Sequence, residues 1–428
     1  MKFIYLIFIL SFGVVAEDEF NDEFNDEFNE SFTEVTSTEV LKKELYGAIS
    51  FEAVHNYNSS SKLKNLSSTK VLLDLIYDSN IEDKKIYLNL QGYYDAIYSS
   101  NLGNYLTTPK GYKNELSLNE AHISGSINSN LDYKIGRQIV VWGKSDNIRI
   151  TDILNPTDSR VPGLVDIKNL RLGRLMSKFD YYHNNINFSA ILLHENLVSK
   201  NPKYGSDFKQ SIDIKENTPD DSLKNTGIAL SFSTSIGSVD FAGYFANTYL
   251  DKSYLKDGEL HFDDKVNMVG FAINKVLGSY LLKTEFAYFD AIKYNNLVEQ
   301  KSQSNFLLGV EYSGINDGSL SYELAYKKIN SFDAIINTQI NKFTPKETYQ
   351  QAIRLSKSYI NQTINTTILV NLFGKNADEG GFLRASVDYA IDDKTSVDFG
   401  VIDYIGGSAV FDAIKDNDRI FAKLTYSF

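Results

Sequence analysis

Arg419-Ile-Phe-Ala-Lys-Leu-Thr-Tyr-Ser-Phe428 decides how the chain is read. Side chains of a strand alternate between two faces, so Ile420, Ala422, Leu424, Tyr426 and Phe428 share one side. Arg419, Phe421, Lys423, Thr425 and Ser427 share the other. The first face is apolar and ends in aromatics two residues apart; the second is largely polar. A soluble sheet can show the same split, so the remainder of the chain has to decide where such a strand sits.

Composition narrows the choice. The 428 residues exceed a typical single soluble core, although a large barrel reaches this length. There is no cysteine, which excludes disulfide frameworks, thiol catalysis and Cys-based zinc sites. The net charge of −12 argues against nucleic-acid binding, which needs a basic footprint. With 28 Tyr, 27 Phe and 26 Gly against 6 Pro, the chain favours many short strands over helices. Mean hydropathy is −0.26, and past the N-terminus no apolar stretch is long enough for a transmembrane helix. A barrel passes that test, because only alternate residues of its strands face lipid.

Residues 1–16 read as a secretory signal, with Lys2 as the charged start, Phe3 to Val15 as the apolar run and Val14-Val15-Ala16 as the cleavage site. With no cysteine after it, a lipoprotein anchor is excluded. Residues 17–44 form an acidic periplasmic segment in which Phe20, Phe24, Phe28 and Phe32 recur every fourth residue. One reading is a disordered, solvated leader; the other is an amphipathic segment that docks a periplasmic partner through those four rings.

Residues 45–428 carry the barrel pattern. Ile86, Leu88, Leu90, Tyr94 and Tyr98 oppose Lys85, Asn89, Gln91 and Asp95. Tyr280, Leu282, Phe286 and Tyr288 oppose Lys283 and Glu285; Leu320, Tyr322 and Leu324 oppose Glu323 and Lys327; Leu383, Val387 and Tyr389 oppose Arg384 and Asp388. Tight turn signals fall near 79–83, 128–130, 183–185, 236–238, 277–279, 314–317, 360–362 and 392–394. Longer polar loops lie between them, at 58–69, 99–113, 143–167, 198–224, 251–264, 292–303, 331–347, 374–380 and 405–417. Strict alternation of short and long connections predicts an all-β, antiparallel, up-and-down transmembrane barrel with short periplasmic turns. The count is 18 strands, with 16 as the alternative, and the last strand is expected to pair with the one near Leu45 to Tyr57.

The aromatic ending resembles the terminal strand of bacterial outer-membrane barrels, which implies a bacterial outer-membrane location, contact with outer-membrane lipid and recognition by the barrel assembly machinery. A second resemblance lies in Gly136-Arg-Gln-Ile-Val-Val-Trp-Gly143, followed by Asp146, Arg149, Asp152, Asn155-Pro156 and Asp158. This Gly-Arg-Gln, Trp-Gly, Asn-Pro-x-Asp pattern resembles a family of Gram-negative outer-membrane barrels without settled function. Its members look like companions of RND-type inner-membrane exporters and are distantly similar to alginate-export porins. The resemblance implies a partnership with a periplasmic or inner-membrane exporter component, and it spans only about 25 residues. The acidic Phe repeat is no part of it.

Read physically, the loop after Gly143 carries both charge signs and two prolines, and is expected to fold into the barrel and narrow it. Arg137, Gln138, Trp142, Asp146, Arg149, Asp152, Asn155 and Asp158 are the constriction candidates. Strict alternation would turn Arg137 toward lipid, so a bulge near Gly136 is expected to re-aim it inward. Leu116 and Leu118 share a face with Glu120 and His122, a similar slip in strand four. Lumen candidates are Lys85, Asp95, Lys283, Glu285, Arg354, Arg384, Asp388, Arg419 and Lys423, a mixture of signs that argues against a strongly ion-selective ring.

The five histidines are too scattered to hold a metal, and no nucleophile elbow or phosphate loop appears; His122 with Ser124 or Ser126 is the nearest approach to an enzyme site. The sequence therefore predicts a porin-like channel or export or uptake conduit without cofactor, not an enzyme. The alternative is an outer-membrane anchor whose acidic repeat docks a partner. A siderophore-type receptor is disfavoured, since a plugged 22-stranded barrel needs more chain.

Overall fold

The computed structural model describes residues 44–428 apart from 59–65, 100–107, 210–212, 296, 298 and 338–343. The signal, the acidic segment and Phe20, Phe24, Phe28 and Phe32 lie outside the described residues. The first six barrel strands are β1 Glu44–Asn56, β2 Leu66–Ile81, β3 Lys84–Asp95, β4 Asn114–Asn128, β5 Leu131–Gln138 and β6 Arg174–His183. Next come β7 Ile186–Leu193, β8 Gly227–Ile236, β9 Val239–Tyr249, β10 Lys265–Leu277, β11 Tyr280–Ile292 and β12 Lys301–Ile315. The last six are β13 Gly318–Ile329, β14 Glu347–Tyr359, β15 Ile364–Phe373, β16 Gly381–Ala390, β17 Thr395–Ile405 and β18 Arg419–Ser427. They form one 18-stranded antiparallel sheet.

The sheet closes on itself. β18 pairs with β17 on one side and with β1 on the other, in register from Ala48↔Ser427 to Asn56↔Arg419. Gly47 N donates to Phe428 O at 3.0 Å and Phe428 N returns the bond at 2.9 Å. Closure leaves no sheet edge, which a lipid environment requires because nothing there satisfies free backbone groups. The count of 18, the alternating connections and the pairing of the last strand with β1 all agree with the sequence.

At one end the connections are hairpin turns, with Glu82, Asn184, Gly237, Gly278 and Asp317 at positive φ, as right-twisted two-residue hairpins demand. At the other end lie the long connections, 139–173 and 194–226 being the longest. A small three-stranded sheet of Glu216–Asn217, Tyr254–Lys256 and Glu259–His261 ties two of them together. Leu282, Tyr288, Leu308, Leu320, Leu424 and Tyr426 are exposed, while Lys283, Glu285, Glu323, Arg384 and Arg419 on the opposite faces are buried. That inverts the soluble pattern and suits an apolar surround.

The two expected irregularities resolve differently. In β4 the register steps from Asn89↔Glu120 to Leu90↔Leu118, so Asn119 is an inserted residue. This bulge leaves Leu116, Leu118 and Ile123 exposed outside and turns His122 into the barrel. In β5 no such step occurs: Gly136 has φ +133, yet the pairing with β4 and β6 runs through it unbroken. The expected inward turn of Arg137 is therefore corrected. Arg137 stays on the outer face with exposed Ile135 and Leu175, its register partner in β6.

The closure can be tested because the chain has no cysteine of its own. Gly47 and Phe428 form a hydrogen-bonded pair, so by alternation Ser50 and Thr425, hydroxyls 3.0 Å apart, form a close non-hydrogen-bonded pair. Their Cα separation of about 4.5 Å lies within the disulfide range. Ser50→Cys with Thr425→Cys is expected to cross-link under mild oxidant and shift the mobility of the denatured chain. Ser50→Cys with Ser427→Cys, one register step away on the same face, should cross-link far less.

Candidate functional site

The inner wall of β8–β14 is lined with small residues. Ala229, Ala242, Ala246, Ala272, Ala287, Ala325 and Ala352 are buried at inward positions. The space they leave is filled by the loop 139–173, whose Val140, Trp142, Ile148, Ile150 and Leu154 join the same buried apolar cluster. Trp142 stacks on Tyr244 of β9 with ring centroids 4.8 Å apart. The loop thus lies inside the barrel and packs as a core packs.

Its backbone is satisfied by carboxylates of the wall. Glu285 of β11, 1% exposed, accepts from Lys144 N at 2.6 Å and Ser145 N at 2.7 Å through one oxygen. Its other oxygen accepts from Thr151 N at 3.3 Å and Thr151 Oγ1 at 2.8 Å. Glu323 of β13 accepts from Ser145 Oγ, Asp146 N and Asn147 N at 2.7, 3.0 and 3.1 Å. Between them Lys283 of β11 pairs with Asp146 of the loop and with Glu311 of β12 at 3.0 Å. Gly143 has φ +89, and a Cβ there would stand 2.7 Å from a Glu285 oxygen and from Thr151 Oγ1. Only glycine leaves the cradle open.

The return arm is fastened to two other parts of the wall. Arg160 donates to Tyr93 of β3 at 3.0 Å, to Gly111 O at 2.5 Å and to Glu115 of β4 at 2.7 Å, and pairs with Asp158. Asp166 binds Arg354 of β14 at 3.0 Å and Arg384 of β16, while Tyr404 of β17 donates to Pro162 O at 2.6 Å. The stems are tied by Asn155, which takes Val140 N at 2.8 Å and donates to Gln138 O and Leu172 O at 3.2 and 2.8 Å. Asp152 accepts from both Arg149 and Arg171, at 3.0 and 2.9 Å. A loop grounded on β3–β4, β11–β13 and β14–β17 crosses the interior.

Gln138, Trp142, Asp146, Arg149, Asp152, Asn155 and Asp158 therefore come together as the framework of this loop. Gln138 is fully buried and donates to Lys134 O and Met176 O at 3.0 and 3.1 Å. Arg137 is apart from them. On the outer face its guanidinium donates to Gly173 O and Glu195, both at 2.6 Å, at the long-loop rim, where a paired Arg costs little.

Of the lumen candidates, Lys283, Glu285, Arg354 and Arg384 hold the loop, and Arg419 reaches Asp207 of the 194–226 loop at 3.4 Å. Asp95 is buried and accepts from Ser68 Oγ and Thr69 N at 2.7 and 2.9 Å. Lys85 pairs with Asp78 at 3.1 Å near a short turn. Lys423 and Asp388 belong to an inner row of facing residues, Lys70, Glu52, Lys423, Asp398 and Asp388.

Tyr244, Glu311 and Glu115 were missed, since their roles come from partners far away in sequence. Inward alanines on consecutive strands were the available sign that something fills the barrel. His122 stacks on Tyr87 and forms no bond to Ser124. The structure instead sets His194 Nε2 2.9 Å from Ser177 Oγ. Among the described residues no acid orients that ring, so the pair lacks the third member of a hydrolytic relay.

Removing the Glu285 carboxylate strands three amides and a hydroxyl, each costing about 1–3 kcal/mol if left unpaired. Glu285→Ala is expected to red-shift the emission of Trp142, the sole tryptophan, and to open 143–151 to proteases. Burial alone would raise the Asp166 carboxyl, but the Arg354 hydrogen bond and the Arg384 and Arg354 charges outweigh it and hold it below the ordinary carboxylate value. Its contribution is present above the unfolded value of about 3.9 and lost only as pH falls through the lower folded value. Amide exchange across 158–166, corrected for intrinsic rates, should be equally slow at pH 8 and pH 5. Asp166→Asn should speed it at both.

The comparisons agree with this architecture. The fold is similar to that of Acinetobacter baumannii OccAB4, at 11% identity and a TM-score of 0.55 over 90% of this chain and 98% of that one. It is similar to a BenF-like porin from Pseudomonas fluorescens, at 9% identity and 0.55 over 91% and 98%. Acinetobacter baumannii OccAB1 gives 9% and 0.54 over 91% and 96%. These neighbours are porins, and the fold is that of a bacterial outer-membrane barrel. No curated protein matches the sequence. The model of a family described as protein of unknown function (DUF1302) matches residues 55–428, and the chain belongs to that family.

Proposed function

We propose that the protein is an outer-membrane channel whose passage is set by the inward loop 139–173. The observation that supports this most is the fastening of that loop by buried charges on separate parts of the wall. An 18-stranded barrel is wide enough for an aqueous channel, and a loop held across it defines what fits. Among the described residues the Ser177–His194 contact has no orienting acid, and passage rather than catalysis is the reading. In planar bilayers the purified protein is expected to give discrete current steps. Glu285→Ala with Glu323→Ala should give larger and noisier steps, because the loop loses both cradles. A barrel that inserts and carries no current in either form would overturn the reading.

The finer reading, that the channel works with a periplasm-facing exporter, is supported by the motif around Trp142 and by the regular Phe spacing of 17–44. Four rings at every fourth residue make one apolar stripe on a helix, flanked by acidic groups. A 17–44 peptide is expected to retain an exporter periplasmic component. Replacing Phe20, Phe24, Phe28 and Phe32 by Ser should abolish retention while barrel assembly and current persist; equal retention by both peptides would sink the idea.

A further inference from the structure

We infer that the external side of the constriction carries a subsite for a small organic monoanion with an apolar body, built around Lys327; this rests on the channel reading. A cavity of about 220 Å³ lies between residues 149–153 of the loop and the long-loop ends of β9 and β11–β13. Lys327 projects into it from the inner face of β13, opposite Asn305 and Thr348. Lys327 lies four positions beyond Glu323, so at roughly 3.3 Å per residue the cavity stands some 13 Å above that cradle, on the long-loop side.

The charge balance at this cavity favours an anion. Lys283, Arg354, Arg384 and Arg419 on the inner wall each meet a carboxylate. Lys327 meets none: among the described residues no ion pair or hydrogen bond reaches its ammonium, and Arg149 beside the cavity is a like charge. Lys252, across the cavity, is exposed, sets its ammonium 4.2 Å over the face of Tyr294 and feels the Asp264 carboxylate. The two carboxylates at the cavity are already engaged. Asp152 is shared by Arg149 and Arg171, and Asp251 accepts from Ser199 N at 2.6 Å and from Ser199 Oγ.

Lys327 is half-buried, and a partly desolvated cation without a partner gains from an incoming anion. Ile153, Leu250, Phe289 and Ile292 supply an apolar side to the same cavity. A carboxylate at Lys327 with a hydrocarbon body against these residues satisfies both halves. Asp152 and Asp251 at the rim repel a second negative charge, which selects a monoanion over a dianion.

Phenylacetate, its uncharged analogue 2-phenylethanol, and acetate are the probes. Added to the external side of wild-type channels in potassium chloride, phenylacetate is expected to interrupt the current in a concentration-dependent way. The alcohol should not, and acetate should need far higher concentration. Lys327→Gln should raise the half-blocking concentration about tenfold or more, and Lys327→Arg should restore it near wild type. Current without phenylacetate interruption, or interruption unchanged in Lys327→Gln, overturns the subsite and leaves the channel standing. Absence of any current overturns the channel reading instead. Calorimetric titration of the detergent-solubilised protein with phenylacetate then reads the subsite directly, and no heat attributable to Lys327 overturns it.

Discussion

The structure depends on a buried carboxylate that faces backbone. Glu285 turns inward from β11 and meets three amides and a hydroxyl of the 143–151 segment. A loop that folds into a barrel carries its peptide groups away from bulk water and has no neighbouring strand to pair with. Each orphan amide would cost on the order of a kcal/mol or more. Ionised acceptors are the strongest partners available to it, and Glu285 and Glu323 sit two strands apart to receive successive parts of the same turn. The glycine at 143 and the lysine between the two carboxylates follow from this arrangement. The first keeps the cradle open, and the second pairs with Asp146 of the loop and Glu311 of the wall.

Filling the barrel has consequences for the wall. Where the loop packs, inward positions carry alanine and the contact is apolar, as between helices or sheets of a soluble core. Where the loop leaves the wall, inward positions return to serine, asparagine and charge. On β11, β13 and β14 buried alanines and charged residues share the same inner faces, so apolar packing and charged fastening succeed one another along a strand. Trp142 lies on the core side against Tyr244, while the arm that carries Asp166 crosses to the other.

The fold was legible because its signals are local. A period of two needs only a strand's own residues, and hairpin turns declare themselves through Asn, Asp and Gly at positive φ. The site was legible in position and not in partnership. Alternation put Lys283, Glu285, Arg354 and Arg384 on the inner face, but their partners lie 130 to 220 residues away and no period links them. Arg137 failed for a related reason. A bulge was expected to spare it the lipid side, whereas it stands on that side at the rim beside Glu195, fifty-eight positions on. The irregularity expected in β4 is there, at Asn119, whose carbonyl lies 1.7 Å from where a Cβ of Gly173 would be, while the bulge expected beside Gly136 is not.

Charge sign along the inner wall can now be separated by use. Lys283, Arg354, Arg384 and Arg419 are spent on loops, so a count of inward charges overstates what a passing solute meets. On the opposite wall the row from Lys70 through Glu52, Lys423 and Asp398 to Asp388 starts beside the return arm of the loop, alternates in sign and then doubles a carboxylate toward the short turns. On the external side of the loop the uncommitted charges are cationic, Lys252 and Lys327. On the channel reading, a negative group meets uncommitted cations on the external side of the loop and then a row of mixed sign that descends the opposite wall. A gradient of that kind needs no selective ring. It needs only that the fastening charges be neutralised by the loop they hold, which returns the selectivity of the passage to the same buried pairs that fix its shape.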